Sequence, residues 1–394
     1  MLDVAMLLLT PLIQIGASYY VSVAILLSVA EIVRWFRPLI SGLQWALPAI
    51  VLFAVILMTN VAQFTGSWGS DLLRAGREGL IFVLLVAGIR EFTRRPPIAD
   101  PTRLLNVIAG ILSGLLVLCL AQRIFYQSGV YFGIPVDYFA VESKTLPTEA
   151  AFEAALTYGG RFGGLRPNAT FREPSYLAFV LISFAIMVVP LMGTMRKARW
   201  MLAMIFVTGA VSHSVAFIAA FLLVVIVPAM ANRRHAVTLA SGGLALVVLG
   251  PLLGLDILGY LLDRFSGTGG LQADLSTEAR IVVPFQVLAG FIVEHPFGVA
   301  VSRFEDALIP LMPGGMVPSE IAHNGLFNAL FLYGLPGAAM LIVYLRSAGT
   351  LPLGLYLLTS ANFNGALFAP DKFAMILLAV AVSESMRRAA AARQ

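Results

Sequence analysis

Three polar residues stand together at the end of a long polar stretch, in SEIAHNGLFNALFLYGLPG. Glu320, His323 and Asn324 come directly before an apolar run. Histidine has a side-chain pKa near neutrality, so it suits proton transfer in catalysis. A lone histidine at a membrane interface more often has a structural role. We take His323 as a candidate general base, and Glu320 and Asn324 as candidate binding residues beside it.

A second charged group closes an earlier polar stretch, GGLRPNATFREPSYLAF. Arg166 and Arg172 could hold a phosphate or diphosphate, because a guanidinium donates two parallel hydrogen bonds to such groups. Glu173 could accept a proton, and Pro174 suits the first turn of a helix. Alternatively, these residues anchor the chain at a membrane interface and form a local Arg–Glu pair. The residues alone leave both interpretations open.

Arg280 begins the apolar stretch RIVVPFQVLAGFIVEHPFG. An arginine at the middle of a bilayer costs about 2.5–3.5 kcal/mol on insertion scales, so it should have an anionic partner. Glu278, a phospholipid or a substrate phosphate could be that partner. A structural or lipid-binding role is at least as well supported as a catalytic one.

The sequence lacks the usual motifs of metal and nucleotide chemistry. Its single cysteine, Cys119, lies inside an apolar run, which excludes a disulfide framework and a cysteine metal cluster. No HExxH, Walker or GxSxG motif stands in a usable context. We therefore expect no metal and no cofactor. His213, which lies between two serines, is a weaker candidate than His323.

The amino-acid composition indicates that transmembrane helices position these residues. Of 394 residues, 59% are hydrophobic and 12% are charged, too little polar surface to cover a soluble globule. About 20 apolar residues in a helix cross a hydrocarbon core about 30 Å thick. The sequence predicts an all-α polytopic membrane protein, a single integral membrane domain over 1–394. Its roughly twelve transmembrane helices are predicted near 4–16, 18–33, 42–60, 76–92, 104–124, 175–194, 199–211, 214–231, 236–255, 324–345, 351–368 and 372–387.

Charge patterning orients these helices. With both termini in the cytoplasm, the short inner turns are basic and the outer segments are net acidic, in agreement with the positive-inside rule. Two outer segments, 125–174 and 256–323, are much longer than ordinary connections, and we expect both to be folded periplasmic caps. The basic residues form short clusters and no single basic face, so nucleic acid is not an expected partner.

Three blocks of sequence, in this order, resemble the bacterial O-antigen ligase and polymerase superfamily. They are RPNATFREPS, then STEAR with an apolar stretch and HPFG, then AHNGLFNALFLYGLPG. The resemblance covers essentially the whole chain. It implies about twelve helices in a GT-C-like glycosyltransferase architecture, with a large outer loop over a cavity open to the membrane. It also implies transfer of a glycan from a polyprenyl diphosphate without nucleotide sugar or metal.

The resemblance implies roles for individual residues. Arg166 and Arg280 match the family arginines that hold the diphosphate, and Arg172 would assist them. His323 matches the family histidine near the reaction centre. The EPS tripeptide that begins at Glu173 is similar to the polymerase branch of the superfamily.

Two positions depart from the family pattern. His213 stands where the family often has an arginine, which concerns how the acceptor sugar is held. Val299 and Val301 flank Ala300 where a second glycine is usual, and this difference could be a packing change.

These observations predict a glycan polymerase of the bacterial inner membrane with its active site facing the periplasm. Its partners would be an undecaprenyl-diphosphate-linked glycan, membrane lipid and a chain-length regulator protein. His323 is the preferred base and Glu173 the second choice. The alternative is an O-antigen ligase that moves finished glycan to lipid A core or to a protein. A transporter or flippase is less favoured, because no internal repeat is visible and mid-helix positions look nearly free of charge.

Overall fold

The structure is a computed structural model of the chain. It describes residues 1–18, 21–62, 68–128, 130, 132, 167–171, 174–212, 214–230, 281–312, 324–363 and 365–393. The chain divides into two compact units. One comprises Met1–Phe36, Pro96–Leu258 and Ala374–Gln394, and the other Arg37–Arg95 and Gly259–Phe373. Each unit is therefore assembled from segments that are far apart in the sequence.

Helices make up most of the described chain. In chain order they are α1 (Leu2–Leu9), α2 (Val23–Arg34), α3 (Phe36–Gly42), α4 (Leu47–Ala62), α5 (Trp68–Arg94), α6 (Leu104–Gln127), α7 (Pro174–Val188), α8 (Arg196–Val211), α9 (Val215–Phe221), α10 (Val227–Met230), α11 (Val283–Glu294), α12 (Phe304–Leu308), α13 (Gly325–Arg346), α14 (Leu351–Asn362) and α15 (Pro370–Ala391). A π-helical segment, Leu222–Ile226, joins α9 to α10. Two short antiparallel strands, β1 (Gly16–Ser18) and β2 (Val21–Ser22), precede α2.

Three helices are long and apolar enough to cross a membrane. They are Leu104–Tyr126, Pro174–Leu191 and Gly325–Arg346, and they coincide with the helices predicted at 104–124, 175–194 and 324–345. Counting Phe36–Trp45 and Leu47–Thr59, which are bent by 83°, as one broken span gives a fourth. These numbers apply to the described residues, and the helix predicted at 236–255 lies outside them. The total of about twelve stays a prediction.

The helix predicted at 18–33 begins later than the sequence pattern indicates. The structure has the β1–β2 pair at its start, and α2 begins at Val23. Ser22 ends the extended segment, and its side chain accepts a hydrogen bond from the backbone N–H of Ile25 at 3.3 Å. A serine at this position is a favourable N-cap, because it satisfies one of the N–H groups that the first turn leaves open.

The helix predicted at 351–368 ends earlier than expected, at Asn362. Gly365 has φ +86°, a left-handed backbone conformation that an α-helix does not contain. Apart from Asn364, residues 363–368 are apolar or glycine, which is why the hydrophobic pattern alone extends the helix through them.

The unit that contains α6 to α9 has a strongly apolar core. In α7, every residue from Tyr176 to Val188 is buried. Helix α8 packs against α6 and α7, and α9 packs against α7. At the start of this unit the buried Asp3 carboxylate forms ion pairs with Arg34 and Arg103, each at 3.3 Å. Two cations thus compensate the cost of burying this carboxylate.

The other unit is built around α4, α5 and α13, which pack against one another. Helix α13 is interrupted at Gly334, where φ is 56° and ψ is −134°, and Pro336 follows. Both features break the ladder of backbone hydrogen bonds and account for a kink. The helix α11 (Val283–Glu294), from the apolar stretch of the second predicted loop, also packs against α13.

Candidate functional site

Most of the predicted site residues fall outside the described residues. These are Arg166, Arg172, Glu173, His213, Arg280, Glu320 and His323. Asn324 is described, as are the backbone segments next to several of the others. The structure therefore defines the framework around the three family-like blocks, while the roles of these seven side chains stay predictions.

Asn324 begins helix α13. It is 2% exposed, and its side-chain oxygen accepts a hydrogen bond from the backbone N–H of Leu326 at 3.0 Å. Its side-chain nitrogen donates to Oδ1 of Asn362 at 3.3 Å. Asn324 is thus the N-cap of α13 and ties that helix to the end of α14. Its predicted contact with an acceptor stays a prediction.

A buried lysine binds the end of α14 and the residues that follow it, next to Asn362, the hydrogen-bond partner of Asn324. The Lys372 ammonium is 1% exposed and donates to the carbonyl oxygens of Phe363 at 2.7 Å, Gly365 at 3.0 Å and Ser360 at 3.5 Å. An ammonium has three donors, and here each has a backbone acceptor. The lysine therefore satisfies carbonyl groups that the end of α14 leaves without helical partners.

Gly325 lies against the segment that Lys372 holds. A Cβ atom at this position would overlap the carbonyl oxygens of Gly365 and Ala361. Only glycine permits so close an approach of two backbones. The start of α13 at Gly325 is therefore packed directly on the chain that follows α14.

The HPFG block and the YGLPG sequence of α13 interlock through two glycines. Gly298 has φ +74° and Gly334 has φ +56°. A Cβ atom on Gly298 would overlap the backbone of Leu332 and Tyr333, and one on Gly334 would overlap the backbone of Pro296 and Gly298. Both glycines are thus required by backbone conformation and by close approach. The second and third family-like blocks meet at this point.

Two backbone hydrogen bonds join the HPFG turn to α13 at the same place. The N–H of Leu335 donates to the Pro296 carbonyl at 2.8 Å, and the N–H of Val299 donates to the Phe331 carbonyl at 3.3 Å. The turn therefore satisfies groups that the kink at Gly334 exposes. Val299 and Ala300 are buried, so the departure from the family glycine pattern lies in a packed region.

A charged cluster on α5 lies beside this interlocked pair. The Tyr333 hydroxyl donates to Oε2 of Glu78 at 2.8 Å, and Nε of Arg74 donates to Oε1 of Glu78 at 2.8 Å. Nη2 of Arg77 is 3.8 Å from the same Oε1. The residue Glu78 is 1% exposed, and hydrogen bonds to both oxygens stabilise the buried carboxylate.

A second bond connects the same stretch of α5 to the segment after HPFG. The Ser302 hydroxyl donates to Oδ2 of the buried Asp71. Asp71, Arg74 and Glu78 are spaced at i, i+3 and i+7, which places them along one side of α5. One carboxylate of this helix, Glu78, thus contacts the YGLPG sequence, and the other, Asp71, contacts the segment that follows HPFG.

Sequence reasoning missed this cluster. Glu31, Glu78, Lys372 and Glu384 are all buried within described helices. The available signal was the Arg74–Glu78 spacing of four residues, which is typical of an ion pair within a helix. The low overall charge of the chain concealed it.

Residues 168 and 169 of the first family-like block are held by a glutamine of α6. Oε1 of Gln122 accepts the backbone N–H groups of Asn168 at 3.0 Å and Ala169 at 2.8 Å, and its Nε2 donates to the Ala169 carbonyl at 3.0 Å. Ala169 has φ 53°, and the Thr170 hydroxyl donates to the Pro11 carbonyl. The turn between Arg166 and Arg172 is thus fixed by a fully buried amide.

The described part of the chain contains no group of three or more His, Cys, Asp or Glu side chains that could hold a metal ion. The polar contacts described above are hydrogen bonds and ion pairs within the protein. They fix the backbone on either side of the predicted site residues.

The long apolar helices define the class of the protein as a helical membrane protein. Comparison with protein families then identifies it further, because the model of the WcaD colanic acid polymerase family matches residues 80–385. The chain belongs to this family, and so it is a polysaccharide polymerase, a kind of glycosyltransferase. The predicted resemblance is thereby confirmed. A comparison with curated proteins finds no match.

Proposed function

We propose that the protein lengthens a polysaccharide on the periplasmic face of the bacterial inner membrane. The donor is a glycan linked to undecaprenyl diphosphate, and the acceptor is the terminal sugar of a lipid-linked repeat unit. The family match over residues 80–385 is the observation that carries this proposal, because it favours the polymerase over the ligase alternative. About twelve transmembrane helices and the two outer segments, 125–174 and 256–323, would form the surrounding domain.

The proposed reaction is a displacement at the anomeric carbon of the donor glycan. The acceptor hydroxyl forms a new glycosidic C–O bond, the C–O bond to the diphosphate breaks, and the diphosphate leaves with the electron pair. His323, or Glu173 in its place, takes the hydroxyl proton. Arg166 and Arg280, with Arg172, stabilise the charge that develops on the leaving diphosphate.

These assignments are supported by contacts that fix the chain next to the proposed catalytic and diphosphate-binding residues. Asn324 and Gly325, directly after His323, are fixed by Asn362 and by the segment that Lys372 holds. The turn 167–171, directly between Arg166 and Arg172, is fixed by Gln122. Catalytic groups need such supports, because a small misplacement costs much of the rate. Glu320, Asn324 and His213 are proposed to contact the acceptor sugar.

Deletion of the gene in the producing strain tests the function. We expect lipid-linked single repeats to accumulate and long chains to disappear, as seen by gel analysis of lipid-linked glycans. A strain that still makes long lipid-linked chains but cannot attach them would instead identify a ligase. Returning the wild-type gene should restore the ladder of long chains.

Substitutions in the purified full chain test the residue roles. We expect His323→Ala and Arg280→Ala each to lower the rate of chain extension by about a hundredfold or more. Unchanged product length and yield with His323→Ala would remove the histidine from the mechanism. Unchanged activity with Arg280→Ala would remove the diphosphate clamp.

The proposed chain-length regulator is tested by adding membranes that contain it to the chain-extension assay. Binding to this chain should narrow the distribution of product lengths. An unchanged distribution would contradict the proposed partnership.

A further inference from the structure

We propose that helix α11 and the turn after it lie in the membrane, with one side of α11 against the acyl chains of lipid. Both belong to the second long outer segment, 256–323, which the sequence pattern predicts as a periplasmic cap. Helix α11 has 12 residues and is thus about 18 Å long, too short to cross a hydrocarbon core about 30 Å thick. This part of the segment would therefore enter the membrane without spanning it.

Exposed apolar side chains recur at every fourth residue along α11 and into the turn after it. They are Ile281 (46% exposed), Phe285 (64%), Ala289, Val293 (83%) and Phe297 (52%), and we call them the apolar stripe. Residues four apart lie on the same side of an α-helix. A continuous exposed row of this kind marks a surface that binds a partner or a membrane.

The exposed edge of α11 beside the apolar stripe is polar. Gln286 and Glu294 are exposed and each follow a member of the stripe by one residue, which places them about 100° around the helix from it. The remaining side of α11 is buried, and its Phe291 packs against Phe331 of α13, with ring centroids 4.9 Å apart. A helix at a membrane interface has this arrangement, with its apolar face toward acyl chains and its polar face toward headgroups and water.

The apolar stripe continues onto the exposed side of a helix that is long and apolar enough to cross a membrane, α13. The Pro296 carbonyl accepts the N–H of Leu335 at 2.8 Å, so the turn that carries Phe297 lies against Leu335. Leu335 is 55% exposed, and Ile342, two turns further along α13, is 51% exposed. Exposed apolar residues of a membrane span face acyl chains. The adjoining stripe meets the same solvent, which favours lipid over a protein partner.

The turn after α11 has the backbone pairing that a membrane interior requires. Non-helical backbone is tolerated there only where protein covers it. Gly298 and Val299 are buried. The N–H of Gly298 donates to the His295 carbonyl at 2.9 Å, and that of Val299 donates to the Phe331 carbonyl at 3.3 Å. These hydrogen bonds let the turn lie beside acyl chains.

The test measures which solvent reaches a single fluorescent label on the full chain in phospholipid vesicles. Bimane is attached to one introduced cysteine in a Cys119→Ala background, since Cys119 is the only cysteine of the chain. Val293→Cys and Phe285→Cys place the label on the apolar stripe. Glu294→Cys is the matched control on the polar edge, and Ile342→Cys is the reference for a lipid-facing label. The quenchers are phosphatidylcholine brominated on the upper acyl chain and iodide on both sides of the membrane.

We expect the brominated lipid to quench both stripe labels at least about half as strongly as the Ile342→Cys label, and the Glu294→Cys label much less. Iodide should quench the Glu294→Cys label most. Stripe labels that iodide quenches and brominated lipid does not would lie in water, which overturns the proposal. Stripe labels that neither quencher reaches would be covered by protein, such as a second copy of this chain, which also overturns it.

Two positions on the stripe keep the result interpretable. Phe285 packs against Phe327 of α13, with ring centroids 4.9 Å apart, so Phe285→Cys removes a packing contact. Val293 is the most exposed member of the stripe, so Val293→Cys tests the proposal even if Phe285→Cys fails to fold. The fluorescence is measured without donor or acceptor glycan, so its result does not depend on the proposed polymerase reaction.

Discussion

Two cationic sites in the same unit differ in what their positive charges contact. Lys372 is buried, and its three donors bind backbone carbonyls of residues 360–365. Arg74 and Arg77 are about one-third exposed and contact a side-chain carboxylate, that of Glu78. The lysine therefore supports a backbone segment, whereas the two arginines compensate the burial of a carboxylate.

Replacement of Lys372 should have the largest effect on stability. We expect Lys372→Met to lower the free energy of unfolding by about 3 kcal/mol or more, because the carbonyl groups of Phe363 and Gly365 lose the donor that a buried ammonium supplies. Denaturation of the purified protein in mixed micelles measures this change. Lys197→Met is the control, because Lys197 binds Asn106 at an exposed position, and its effect should stay below about 1 kcal/mol.

A loss of less than about 1 kcal/mol for Lys372→Met would remove the contrast between the two cationic sites. It would mean that another donor reaches these carbonyls, and that the lysine is not the support of the segment next to Asn324.

The interlocked glycines should show the next largest effect. We expect Gly334→Ala to lower the free energy of unfolding by about 2–3 kcal/mol, because its φ is positive and a Cβ atom would overlap the Pro296 carbonyl. Gly110→Ala in α6 is the control. The place that a Cβ atom would take on Gly110 is open space, and alanine favours a helix, so stability should rise by up to about 1 kcal/mol.

Equal effects of the two glycine substitutions would contradict the close approach at Gly334. The difference between the two variants is the informative quantity, since both change the unfolded chain in the same way.

A pair of tyrosines on α13 should show the smallest effect. Tyr333 donates to the Glu78 carboxylate, whereas the Tyr344 hydroxyl is hydrogen-bonded to the Ser360 hydroxyl at 2.9 Å. A hydrogen bond to a charged group is worth about 1.5–3 kcal/mol and a neutral one about 1 kcal/mol. Tyr333→Phe should therefore destabilise the protein more than Tyr344→Phe in the same unfolding assay. The opposite order would show that Glu78 does not depend on Tyr333.

The sequence predicts the parts of the fold that depend on local pattern. Helices α6, α7 and α13 follow from unbroken apolar runs long enough to cross a bilayer. The start of α13 at Asn324 follows from the change from polar to apolar residues. The β1–β2 pair and the early end of α14 could not be predicted this way. Ser22 acts through a capping hydrogen bond and Gly365 through its backbone conformation, and neither acts through hydrophobicity.

The candidate site depends more on tertiary contacts, which a single sequence does not reveal. HPFG and YGLPG stood out as blocks, yet nothing in their spacing indicated that Gly298 and Gly334 would approach each other. Tyr333 and Glu78 are separated by 255 residues in the chain. Their pairing emerges only when α5 and α13 pack, and the same packing brings Arg74 next to the family blocks.

Polymer formation by the purified protein tests the central claim most directly. The full chain is reconstituted in phospholipid vesicles with undecaprenyl-diphosphate-linked repeat units as the only glycan, without nucleotide sugar and with a metal chelator present. We predict a ladder of lipid-linked products that grows with time in the wild type and is absent with His323→Ala. Repeat units that stay single with the wild type, while lipid A core added as acceptor becomes glycosylated, would contradict the claim.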